Sequence, residues 1–276
     1  MKKVATSSWA NPGSFNTIFR TSLKFAHALV DHGSIKFNSP QSWVKEGIVN
    51  GPGRGDIFEG VFAACDPLNI KEVLYYTSKY EDVYGKTING LTFFRRKRTM
   101  CLPCYCFYIL KNSLYNCPTK SGIQTINAQI SGKYFQDFSD SKKVDAINPL
   151  AEDKPTLVII HDAKSFLNRI KKKLILMGLS SKDIDLKEVE YRNIQTPFYT
   201  TAPSPAELQI KSEKFRHQSE GRIIINSDRR DILNYLEKNP IEIGSIKDIA
   251  HLHSDSENFI NGISVETVAD IVNVSK

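Results

Sequence analysis

The stretch Lys214-Phe215-Arg216-His217-Gln218-Ser219-Glu220-Gly221-Arg222-Ile223-Ile224-Ile225 sets a dense polar and charged segment directly ahead of a β-branched apolar run. Such a run reads as a buried strand. In an extended chain, residues two apart share a face, so Gln218 and Glu220 point one way and His217 the other. A carboxylate and an amide placed together at the start of a strand make this segment the candidate site.

Working outward, the flanking chain mixes the two periodicities. Thr17–Arg20 reads as a strand, and a helix follows over Leu23–Asp31, with Gly33 as the residue just past its end. Ser34–Ser39 alternates and is expected as a strand stopped by Pro40. Residues 47–60 carry five glycines and read as a loop with room for a close ligand approach. Further strands are expected at Leu91–Arg95, Pro103–Leu110, Thr156–His161, Val189–Arg192, Arg222–Ile225 and Ile241–Ile243. Helices are expected at Ala163–Met177, Arg230–Lys238 and near Val265–Val272, and Lys71–Thr77 fits either a strand or a helix. Without a strict βαβ rhythm, this pattern predicts an α+β fold with a mostly antiparallel, split sheet. No Gly/Ser- or Pro-rich linker divides the 276 residues. A single domain over 1–276 is therefore expected, with residues 230–276 as a C-terminal helical extension.

Composition narrows the class. Apolar residues make up 41% of the chain and aromatics 10%, enough for a substantial core. No apolar run approaches the length of a membrane span, and Met1-Lys2-Lys3-Val4-Ala5 leads into no signal-peptide core. The expectation is a cytoplasmic protein with no membrane partner. The net charge of +7 favours acidic partners, nucleic acid first among them. Arg95, Arg96, Lys97 and Arg98 form one tight basic run beside Phe93, Phe94 and Tyr105, an interleaving that suits single-stranded nucleic acid. The same run also fits an exposed hairpin tip. Lys171–Lys173 is the second run.

The five cysteines are an odd count, which argues against a disulfide framework. Cys101, Cys104 and Cys106 lack the spacing of a zinc site. They read as small hydrophobes of a core strand, so no metal is expected. P-loop, HExxH, GxSxG and dinucleotide-fold signatures are missing from the sequence.

Three separated segments carry a resemblance. Arg20-Thr21 ends a strand, Phe37-Asn38-Ser39 lies on the strand after the first helix, and Gln218-x-Glu220 leads into a later strand. In this order they resemble the ADP-ribosyltransferase superfamily, whose split sheets, with peripheral helices, clasp NAD. The resemblance implies that Glu220 and Gln218 are catalytic and that Arg20, Thr21, Phe37, Ser39 and Tyr191 bind NAD. It also implies a mono-ADP-ribosyltransferase of the toxin or antiviral-defence type, acting on nucleic acid or protein, with an antitoxin protein as partner. The chain further resembles uncharacterised microbial proteins with an early Asp-x-x-Glu-Gly block, here Gly55-Asp56-Ile57-Phe58-Glu59-Gly60, and a late Phe-x-x-Gln-x-Glu-x-Arg block.

Chemistry supports the same assignment. Cleaving the nicotinamide–ribose bond develops positive charge on the ribose, which a buried carboxylate beneath it stabilises. Glu220 takes that role, Gln218 orients the acceptor, and Arg20 grips a phosphate. Phe37 or Tyr191 would cover the nicotinamide ring. The competing expectation is a non-enzymatic basic nucleic-acid-binding protein using Arg95–Arg98.

Overall fold

The computed structural model describes residues 4–5, 14–20, 23–50, 55–111, 123–138, 156–200, 205–253 and 263–270. Two compact units form: Met1–Ile35, Phe107–Lys173 and Ile241–Lys276 make the first, and Lys36–Cys106 and Leu174–Pro240 the second. Among the described residues, helices alternate with several small, mostly antiparallel sheets.

In the first unit, Ser14–Arg20 is a central strand. It pairs antiparallel with the end of Cys104–Lys111 (Thr17 opposite Tyr108) and with Thr156–Ile160 (Ile18 opposite Val158). Ala250–His253 adds to the far side of Thr156–Ile160. All five residues of that inner strand are buried, which is why its Thr-Leu-Val-Ile-Ile run lacks alternation. A core cluster of Tyr108, Leu110, Ile130, Tyr134, Phe135, Leu157 and Ile159 lies in this unit. The helix Leu23–His32 ends as expected, with Gly33 left-handed at φ 65° and its N–H donating to Leu29 O at 2.8 Å. One carbonyl of the last turn finds two donors in residues 245–246: Ile246 N–H donates to Val30 O at 2.9 Å, and Ser245 Oγ to the same oxygen at 3.3 Å.

Two expectations need correction. The helix expected near Val265–Val272 is instead a strand, Ile263–Asp270, paired antiparallel over its whole length with Ile123–Ile130. Ile263 and Val265 alternate with Ser264 and Glu266, and the β-branched Ile263, Val265, Thr267 and Val268 suit a strand better than a helix. The strand expected over Ser34–Ser39 covers only Ser34–Ile35, with an isolated bridge at Asn38. Pro40 does not merely stop it. With its fixed φ it opens the helix Pro40–Asn50, and Ser39 accepts from Ser42 N–H at 3.3 Å. Gly47 therefore lies in a helix, not in the expected loop.

The second unit holds a four-stranded antiparallel sheet ordered Phe198–Tyr199, Ala63–Cys65, Leu91–Arg96, Val83–Ile88. Ile184–Glu188 pairs antiparallel with Glu220–Ile225, and Glu190–Arg192 pairs parallel with Ile210–Ser212. Ile70–Ser78 resolves as a helix capped by Asn69, and Arg230–Lys238 is a helix with Ile232, Leu233 and Leu236 buried.

Gly33 gives a test. A Cβ there would lie 2.2 Å from Gly244 O and 2.5 Å from the Ile243 side chain, in a conformation L residues avoid. Gly33→Ala is expected to lower unfolding free energy by at least about 1–2 kcal/mol, read by urea denaturation, whereas Gly244→Ala, with no atom within 4 Å of its Cβ, loses only the conformational part.

Candidate functional site, a buried ionic cluster

The late segment is not extended, as expected, but coils into a 3-10 turn over Glu213–Gln218. Residues three apart eclipse in such a turn, so Phe215 and Gln218 are buried together. Ser219 then takes a left-handed conformation, φ 40° and ψ 51°, and redirects the chain into Glu220–Ile225, a strand whose six residues are all buried. His217 belongs to this turn and not to an extended strand.

Four charged side chains of the second unit meet here. Arg222 is 1% exposed. Its Nε donates to Glu220 Oε1 at 2.6 Å, its Nη2 donates to Glu59 Oε2 at 3.0 Å, and its Nη1 donates to Glu59 Oε1 and to Leu208 O. The Trp43 ring lies 5.1 Å from the guanidinium carbon. Lys211 Nζ donates to Gln218 Oε1 at 2.6 Å and to Glu220 Oε2 at 2.7 Å. Tyr191, the Cα partner of Lys211 across the parallel pair, accepts from Glu220 N–H at 2.8 Å through its hydroxyl. The Cys106 thiol donates to Glu220 as well.

The early block supplies the other wall. Asp56 Oδ1 accepts from Phe58 N–H at 2.9 Å, forming a tight turn. Arg95 holds that turn from behind, with Nε donating to Glu59 O at 2.9 Å and Nη2 to Ile57 O. Gly60 closes it at φ 69°, where a Cβ would meet Met100 Sδ at 2.5 Å. The early Asp-x-x-Glu-Gly block and the late Gln-x-Glu-x-Arg block thus meet at the Glu59–Arg222 pair.

Burial raises the pKa of each carboxyl, and the cations decide how far. Burial works against the Glu220 carboxylate, but Arg222 and Lys211 outweigh it and hold its pKa well below the usual range. Burial also dominates at Glu59, where Arg222 recovers only part, and its pKa lies above the usual value. Burial disfavours the Lys211 ammonium, yet Glu220 more than compensates and raises it. Burial likewise pushes the Cys106 thiol up, so it stays a proton donor to Glu220 and not a thiolate. Glu220 is therefore a permanent anion, suited to stabilising positive charge and not to donating a proton. Two cations balance two anions in a nearly dry site. Such clusters contribute little net stability, and perturbed ionisable groups of this kind are candidates for binding or chemistry.

The other expected site residues divide between the two units. Arg20 ends a strand of the first unit, while Glu220 lies in the second; Thr21 lies outside the described residues. Phe37 is fully buried against Tyr105 at 5.9 Å between ring centroids, so it serves the core and offers no ring face to a ligand. Ser39 caps a helix. Tyr191 is at the cluster, held by its hydroxyl. The run Arg95–Arg98 does not present one basic face. Arg95 is buried under the Asp56 turn, and Arg96 donates to buried Glu207 through Nε at 2.9 Å. Lys97 is exposed, and Arg98 is paired with Asp228 at 2.8 Å. The strand Leu91–Arg96 buries Thr92 to Arg95 without a break, Arg95 included, which a charge count along the sequence overlooks.

Glu220→Gln leaves two buried cations with Glu59 as the one carboxylate of the cluster and is expected to cost about 3–5 kcal/mol at neutral pH. Because the folded pKa of Glu220 is lowered, its stabilisation is full above the ordinary glutamate value of 4.5 and fades as pH falls below it. Glu59, with a raised pKa, contributes in the opposite sense: protonated below that value it fits its site, and this contribution is lost as pH rises. Urea midpoints measured from pH 7 to 3 should fall less steeply with acid in Glu220→Gln, and more steeply in Glu59→Gln, than in the wild type.

Comparison of the chain with protein-family models, curated proteins and solved structures gives no match.

Proposed function

We propose that the second unit carries a glycosyl-transfer centre for NAD, with Glu220 as the carboxylate that stabilises the ribosyl cation. One observation carries the reading. Gln218 Oε1 and Glu220 Oε2 converge on a single positive charge, at 2.6 and 2.7 Å, so the motif that the resemblance singles out is built as a cation holder. In the reaction, the bond between ribose C1′ and the nicotinamide nitrogen breaks, and its electron pair leaves with nicotinamide. The ribose ring oxygen shares the resulting positive charge, and Glu220 stabilises it electrostatically. An acceptor oxygen or nitrogen then bonds to C1′ and releases its proton to solvent. Gln218, neutral and next to the carboxylate, orients that acceptor without competing for the cation.

The chain then acts as a mono-ADP-ribosyltransferase of the toxin or defence type. The +7 charge favours a polyanionic acceptor such as RNA or DNA.

The test must separate activity from folding, because Glu220→Gln alone unbalances the cluster. The double variant Lys211→Met/Glu220→Gln removes one charge of each sign and leaves the Glu59–Arg222 pair intact. With NAD labelled in the ribose and pools of RNA, DNA and protein, the wild type should transfer label to one pool. The double variant, with a cooperative thermal transition retained, should lose at least about 100-fold in rate. A wild type that releases no nicotinamide, or a folded double variant as fast as wild type, overturns the proposal.

A further inference from the structure

The four charges of the cluster are not equivalent in position. Arg222 and Glu59 side chains are each 1% exposed, whereas Lys211 and Glu220 are 10% and 9% exposed. Lys211 with Glu220 is therefore the less deeply buried pair, the one nearer to solvent. Arg222 is anchored by Glu220, Glu59 and a backbone carbonyl. Among the described residues, the hydrogen bonds of Lys211 Nζ go to the two side-chain oxygens of the motif, Gln218 Oε1 and Glu220 Oε2. Lys211 also comes from a short element. Ile210–Ser212 is a three-residue strand between two 3-10 turns, paired with one other three-residue strand. The Lys211 ammonium already lies 5.1 Å from the Phe215 ring centroid, a contact that can go on holding it at the end of its four-carbon stem when the two oxygens are taken.

We propose that Gln218 Oε1 and Glu220 Oε2 form a subsite for a small organic cation of the pyridinium or alkylammonium class, and that Lys211 fills it in the free protein as an internal stand-in. A ligand cation entering the subsite displaces the ammonium to solvent or leaves it on the Phe215 ring, so charge at the carboxylate is conserved throughout. Arg222 stays in place and keeps Glu220 oriented during the exchange. Lys211 then has a second effect: it excludes neutral occupants and weak cations, because any ligand must outcompete a tethered charge. The inference deepens the NAD reading, since the nicotinamide ring of NAD is such a cation, but its test does not depend on turnover.

The probe is 1-methylnicotinamide, a quaternary pyridinium, with neutral nicotinamide as control, each titrated calorimetrically. Lys211→Met keeps the apolar stem and should bind 1-methylnicotinamide at least tenfold more tightly than wild type, with nicotinamide unchanged. Lys211→Arg restores a resident cation and should bind as weakly as wild type. Adding Glu220→Gln to Lys211→Met should abolish the gain. Equal affinity in wild type and Lys211→Met overturns the proposal. So does failure of both Lys211→Met and Lys211→Ala to fold, which would make Lys211 a structural ion. Tight 1-methylnicotinamide binding by Lys211→Met in a protein whose wild type cleaves no NAD would support the subsite and overturn the NAD reading alone.

Discussion

The second unit's site depends on one guanidinium. Arg222 joins three stretches of chain: its own strand through Glu220, the tight turn after Gly55 through Glu59, and the 3-10 turn ending at Gln209 through Leu208 O. An unpartnered buried guanidinium would be prohibitive, and burial is tolerated here because its fork finds acceptors on every side. Lysine, with a point charge and tetrahedral donors, could not span two carboxylates and a carbonyl in this plane. Arg95 repeats the logic one layer back, holding the turn's carbonyl oxygens while Arg222 holds its side chain.

The arrangement assigns the two cations different work. Arg222 is fixed and keeps Glu220 ionised whether or not anything else is bound. Lys211 is tethered by a short strand, contacts the motif's two side-chain oxygens, and completes neutrality only in the free state. A carboxylate held anionic by one permanent cation, and covered by one replaceable cation, can receive positive charge without paying to desolvate itself again. Tyr191 and Cys106 set the orientation: the hydroxyl fixes the Glu220 backbone, and the thiol, kept protonated by its surroundings, donates to the carboxylate.

Much of the secondary structure was legible because it followed period alone. Arg230–Lys238 and the end of the first helix at Gly33 are local patterns, and they appear where period and capping place them. Most expected strands appear as well, and the readings that failed are ones where neighbours overrode the local pattern. Ile263–Asp270 is a strand because Ile123–Ile130 lies beside it, and Ser39-Pro40 opens a helix where alternation alone implied a strand. The charge run at Arg95–Arg98 misled for the same reason: a sequence gives the number of charges but not their faces. Of the residues that meet at the ionic cluster, Glu220, Gln218 and Tyr191 are ones the sequence motifs bring to notice. Glu59 was visible only as part of a block with no assigned role, and Lys211 gave no signal, because its importance comes entirely from the cross-strand register that sets it opposite Tyr191.

The backbone itself records the cost of building this site. Only Asn89 and Ser219 are non-glycine residues with positive φ among those described. Asn89 precedes Gly90 in the turn joining Val83–Ile88 to Leu91–Arg96, where such a conformation suits the twist of a hairpin. Ser219 has no hairpin to serve. An ordinary extended residue there would carry the chain straight from the 3-10 turn into the strand and turn Gln218 away from Glu220. The left-handed residue folds the chain back, so that an amide buried by the turn and a carboxylate buried by the strand reach the same ammonium. Strain of about 1 kcal/mol or more, confined to one residue between the two acceptors, is the kind of local cost that persists where the surrounding structure fixes a functional geometry. The spacing Gln218-x-Glu220 therefore matters less as a pattern in an extended strand than as the two ends of a single strained step.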